Sequence, residues 1–74
     1  MENKQDILIR FGQIVQNLRI ERNMSIKELS EKTKIRKVYL EKIEAGKAIG
    51  LSTRYVFVFA DVFNIEPHEL LERL

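Results

Sequence analysis

No cysteine occurs among the 74 residues, which excludes disulfides, thiolate metal sites and a cysteine nucleophile. Tryptophan is also absent, and proline and histidine occur once each, as Pro67 and His68. That leaves no His–His or Cys pair to hold zinc. His68, between Pro67 and Glu69 at a prospective helix start, reads as a solvated or interface residue rather than a general base. There is neither a glycine-rich phosphate loop nor a His/Cys/carboxylate cluster at ligand spacing. The chain is therefore expected to be non-enzymatic, with no cofactor, metal or small-molecule ligand. No apolar run approaches the ~18 residues of a membrane span, and the opening MENKQD lacks a signal-peptide core. The expectation is one soluble cytoplasmic domain over residues 1–74, near the lower size limit for folding on its own core.

What the chain does have is charge, placed unevenly. The net charge of +2 would not by itself suggest a polyanionic partner. Residues 1–31 hold five basic and five acidic side chains, and residues 48–74 hold two basic and four acidic. Residues 32–47 hold six basic side chains (Lys32, Lys34, Arg36, Lys37, Lys42, Lys47) against Glu41 and Glu44. A positive patch on one segment, with a neutral or acidic body behind it, is the electrostatic footprint of a phosphate-backbone binder.

That patch falls inside SIKELSEKTKIRKVYLEKIEAG, from Ser25 to Gly46. Ser25 followed by Glu28 is a capping-box pattern that opens a short helix running to Thr33, with Ile26 and Leu29 on one side. A second helix begins near Arg36 and closes at Gly46, whose backbone takes the left-handed conformation readily. At roughly 100° per residue, Tyr39, Leu40 and Ile43 share one side of it, and Lys37, Val38, Glu41, Lys42 and Ala45 share the other. A solvated helix face is the plainer reading of the second group. The charge distribution favours a base-reading face instead. Lysine pairs with phosphate or the acceptor edge of guanine, valine meets a thymine methyl, and glutamate accepts from the cytosine amino group. Ser25, Lys34, Arg36, Lys47 and Arg54 are the phosphate-contact candidates around it.

Together with this segment, Leu18-Arg19, Ser25-x-x-Glu28-Leu29, Ile35, Ile43-Glu44-x-Gly46, Ala60-x-x-Phe63-x-Ile65 and Leu70-Leu71 carry a resemblance. The chain resembles the phage-repressor-like (Cro/repressor, XRE family) helix-turn-helix domains over about residues 11–71. The resemblance implies an all-α, five-helix, lambda-repressor-like fold, with helices at about 6–22, 26–33, 36–45, 53–63 and 67–74. It also implies that helix 36–45 lies in the major groove and that Lys37, Val38 and Lys42 read bases. An ion pair between Arg19 and Glu44, tying the first helix to the recognition helix, is implied as well. Without the resemblance, those two residues are simply two exposed charges. The chain departs from the family at Ile26, where Gln is usual, at Lys34, where Gly is usual, and at Arg36, where a Ser-type cap is usual.

In the first helix Ile7, Phe11, Ile14, Val15 and Leu18 form the apolar stripe, Leu8, Ile9 and Ile20 lie off it, and residues 1–5 are expected to fray. Asn23 suits the left-handed turn that follows. Ser52 is the expected cap of the fourth helix. Tyr55–Phe63, YVFVFADVF, has strand propensity, yet Val56, Phe59, Ala60 and Phe63 also fit a helix face. As a helix it carries a second apolar stripe, Tyr55, Val58 and Val62. With His68, Leu71 and Leu74, that stripe points to a homodimer on an inverted-repeat operator. Phe57 belongs either to the core or to that interface. The function expected is sequence-specific transcriptional regulation: a phage-type repressor, a restriction–modification controller or a small autoregulator. The alternatives are an antitoxin with a protein partner and a helical interaction module that no longer binds DNA. A ribbon-helix-helix fold using the YVFVF run as a strand is the structural alternative.

Overall fold

The computed structural model describes residues 3–74, and every described element is helical: α1 (Lys4–Glu21), α2 (Ile26–Thr33), α3 (Lys37–Glu44), α4 (Arg54–Phe63) and α5 (Pro67–Glu72). The all-α expectation and its order of five helices hold. The strand alternative does not, because Phe59, which ends the YVFVF run, and Phe63, one helical turn beyond it, are fully buried on one helix face. Phe59 meets Phe11 edge-on at 5.9 Å and stacks on Phe63 at 6.0 Å. Burial of two phenylalanine rings outweighs a local preference for extended backbone.

Several boundaries differ from expectation for local reasons. α1 starts at Lys4 rather than Asp6, because the Asn3 side chain accepts the Asp6 backbone N–H at 2.9 Å and caps the helix. Part of the stretch expected to fray, residues 1–2, lies outside the described residues. Arg36 and Ala45 are the caps of α3 rather than helical residues. Thr53, not Ser52, occupies the cap position of α4, and the Ser52 hydroxyl instead accepts the Arg54 N–H at 3.3 Å. α5 ends at Glu72, two residues short of the expected end.

The core combines Phe11, Val15 and Leu18 of α1, Leu29 of α2, Leu40 and Ile43 of α3, Phe59, Ala60 and Phe63 of α4, and Leu70 of α5. Ile35 in the turn and Ala48 in the α3–α4 connector close its edges. Ile7, expected on the buried stripe, is 43% exposed, because α1 runs past the core for its first turns. Phe57 is 62% exposed and belongs to no part of the core. Three turns use left-handed residues at helix ends: Asn23 (φ 54°), Lys34 (φ 64°) and Asn64 (φ 56°). Asparagine tolerates that region; lysine bears strain there.

Candidate nucleic-acid interface

The capping box that starts α2 forms in full. Ser25 Oγ accepts the Glu28 N–H at 3.0 Å, and the Glu28 carboxylate accepts the Ser25 N–H at 3.3 Å. The turn to α3 is then stitched internally. Thr33 Oγ1 donates to the Leu29 carbonyl at 2.7 Å and accepts the Ile35 N–H at 3.2 Å, while Ser30 Oγ donates to the Ile35 carbonyl at 2.6 Å. With Ile35 buried beneath it, this turn fixes α2 against α3.

α3 is held mainly from its inner and C-terminal sides. Leu40 and Ile43 are buried, and Tyr39 is half-buried with its ring 5.9 Å from that of Tyr55. Glu44 and Arg19 form a two-point fork: Nε to Oε2 at 2.7 Å and Nη2 to Oε1 at 3.0 Å. Arg19 Nη1 also donates to the Met24 carbonyl at 2.9 Å. The side chains of Arg19 and Glu44 keep only 15% and 6% of their exposure, so the pair is largely buried. The hydrogen bond from Glu44 holds the Arg19 guanidinium above its ordinary value; burial opposes this, and the carboxylate's charge adds to it.

The sequence reading missed two glycine contacts that set this crossing. A Cβ on Gly12 would collide with the Ile43 carbonyl oxygen and stand 2.9 Å from that of Glu44, so α1 backbone lies directly on the end of α3. At Gly46 (φ 74°) a Cβ would stand 2.8 Å from Cα of Ile9. Gly46 and Lys47 donate to the carbonyls of Ile43 and Lys42 at 3.0 and 2.8 Å, a Schellman closure that matches the expected stop. The spacing of a sequence does not reveal a contact between residues 12 and 43.

The N-terminal end of α3 is the opposite. Arg36 gives no side-chain cap, and no acidic residue lies in the first turn. Lys34, Arg36 and Lys37, all exposed, crowd the positive end of the helix dipole. Lys37, Val38, Glu41 and Lys42 are all exposed on the outward face, Val38 at 66%. Among the described residues, Lys34, Arg36, Lys37, Glu41, Lys42 and Lys47 form no ion pair and no side-chain hydrogen bond, so this charge is uncommitted.

The other candidates are placed less uniformly. Ser25 is exposed, but its oxygen already serves the cap beside Glu28. Lys47 follows the end of α3, away from the Lys34–Lys37 cluster. Arg54 lies over the Tyr55 ring at 5.7 Å and shares an open cleft of about 640 Å³ with Lys34, Arg36, Tyr39, Tyr55 and Val58. Tyr55, Val58, Val62 and Leu74 are half-buried against the core, while Leu71 is 51% exposed and His68 is exposed. Ile26, in the place where Gln is usual, is half-buried against the core. No group of three metal-ligating side chains exists among the described residues, and no described helix is long and apolar enough to cross a membrane.

A helix-turn-helix with a core-locked second helix and an uncommitted basic face defines a class. The chain belongs to the helix-turn-helix domain family, whose model matches residues 12–73, and it is a DNA-binding transcription regulator of the phage-repressor type. Among solved structures it is similar to the restriction-modification controller protein C.AhdI from Aeromonas hydrophila. The identity is 28% and the TM-score 0.79, over 88% of this chain and 97% of that one. No curated protein matches the sequence.

Proposed function

We propose that two copies of this chain bind an inverted-repeat operator, each placing α3 in the major groove. In this reading Lys37, Val38, Glu41 and Lys42 face base edges. Lys34, Arg36, Lys47, Arg54 and Ser25 face phosphates. The observation that carries it is the N-terminal end of α3. Cations at an uncapped helix N-terminus raise the energy of the free protein, and an anion placed there relieves it. Phosphates supply that anion at a spacing a groove-bound helix meets. The likeness to a restriction-modification controller favours a controller or small autoregulator among the regulator classes.

Duplex binding measured against salt concentration tests the contacts. The wild type should lose affinity steeply as salt rises, and Lys37→Ala and Lys42→Ala should each lower the slope of log K against log salt by about 1 where they touch phosphate. A loss that depends on one base pair marks a base reader instead. Affinity that is flat with salt would remove the DNA interface from this face.

The second copy is assigned to the α4–α5 side. Tyr55, Val58 and Val62 form a half-covered apolar stripe there, with Leu71 and Leu74 beyond it. A two-fold axis through that stripe would set two α3 helices about one DNA turn (~34 Å) apart.

A further inference from the structure

We infer that Val38 and Glu41 act as one reader, taking a pyrimidine C5-methyl group together with a cytosine amino group; this rests on α3 entering the major groove as proposed above. Two features of the outward face are otherwise unfavourable. Val38, a β-branched apolar residue, stands 66% exposed in the first turn of α3. Glu41 is an exposed carboxylate with no ion-pair partner, although Lys37 and Lys42 are its neighbours on the same face. Against a polyanion an unpaired carboxylate weakens binding to every sequence unless a base donates to it.

The major groove offers two such donors, the amino groups of adenine and cytosine. Adenine places its amino group beside the N7 acceptor, which repels a carboxylate. Cytosine places its amino group beside the apolar C5 edge. Val38 and Glu41 are three residues apart on one helix face, with Cβ atoms about 5–6 Å from each other, so an apolar group and an acceptor are presented side by side. Thymine has the methyl group, but its O4 acceptor opposes Glu41. The full complement of this pair is therefore an amino donor next to a C5-methyl. Either 5-methylcytosine provides both, or a cytosine provides the donor and a neighbouring thymine the methyl. Lys42, on the other flank of Val38, is left for phosphate or guanine.

The test uses the duplex selected from a random pool, with affinities measured by fluorescence anisotropy for wild type, Val38→Ala and Glu41→Gln. Both positions are exposed, so neither substitution disturbs the core. Each cytosine is replaced in turn by 5-methylcytosine, and each thymine by deoxyuridine. Wild type should bind about fourfold more tightly at one methylated cytosine or about fourfold more weakly at one deoxyuridine, the change that one buried methyl carries. The first result assigns the methyl to 5-methylcytosine and the second to thymine. Val38→Ala should abolish whichever response occurs. Glu41→Gln should lose the preference for cytosine at the adjacent position and bind random duplex more tightly. Operator binding that is blind to both methyl changes, a methyl response that survives Val38→Ala, or a cytosine preference that survives Glu41→Gln overturns this inference alone. Failure to bind any duplex overturns the proposed function with it.

Discussion

At Arg19 a single side chain joins three parts of the molecule. It donates twice to Glu44 at the end of α3 and once to the Met24 carbonyl between α1 and α2. Replacing it with methionine strands the Glu44 carboxylate, whose side chain keeps 6% exposure, with no cation to meet it. The cost should be about 3 kcal/mol, the lower end for a broken buried pair because Arg19 itself keeps some water contact. Chemical denaturation of wild type and Arg19→Met measures this. The pH dependence has a definite sign. Folding raises the affinity of the guanidinium for its proton, so the Arg19 contribution is fully present below arginine's ordinary range and is lost only above it. The difference between the two proteins should therefore stay constant from about pH 7 to about pH 10. A difference that decays over that interval would mean that the fork is not what holds α3.

At the scale of the element, α3 is firm at one end and open at the other. Its C-terminal end rests on Gly12, closes through Gly46 and is pinned by Arg19, whereas its N-terminal end has neither cap nor acid. Arg36→Ser should separate stability from function. A serine cap stabilises the fold by about 1 kcal/mol, while loss of a cation at the proposed phosphate contact weakens duplex binding. Thermal denaturation and a binding titration on the same preparation should move in opposite directions. If both fall, the N-terminal end of α3 is structural rather than reserved for an anion. The same element shows what was legible in the sequence. The Ser25–Glu28 box, the split faces of α3 and the Gly46 stop are local, within a few residues of one another, and all were readable. Gly12 was not, because its neighbour is a carbonyl far along the chain. Arg22 was missed for the same reason: it donates to the Phe63 carbonyl at 3.1 Å, with its guanidinium 5.5 Å from that ring. The start of α1 is hard to read because the Asn3 cap looks, in sequence, like one more polar residue before the apolar stripe.

Across the molecule, the basic segment and the apolar α4 stripe are neighbours on one small core. They approach each other at the cleft where Arg36 and Arg54 share walls with Tyr55 and Val58. Val58 is half-buried in the described chain, so a charge there has one edge in water and remains compatible with folding. Val58→Glu should shift sedimentation from dimer to monomer at micromolar concentration while helicity is kept, and should weaken operator binding more than binding to a half-site. Unchanged assembly would remove α4 from the interface. In the proposed complex, α3 enters a duplex groove twice, once from each copy of the chain. Selection of bound sequences from a random duplex pool tests it most directly. An inverted repeat should be enriched, with half-site centres about one helical turn apart, and Lys37→Ala should lose that enrichment. Enrichment of a single unrepeated site, or of no sequence at all in dilute buffer, would contradict it.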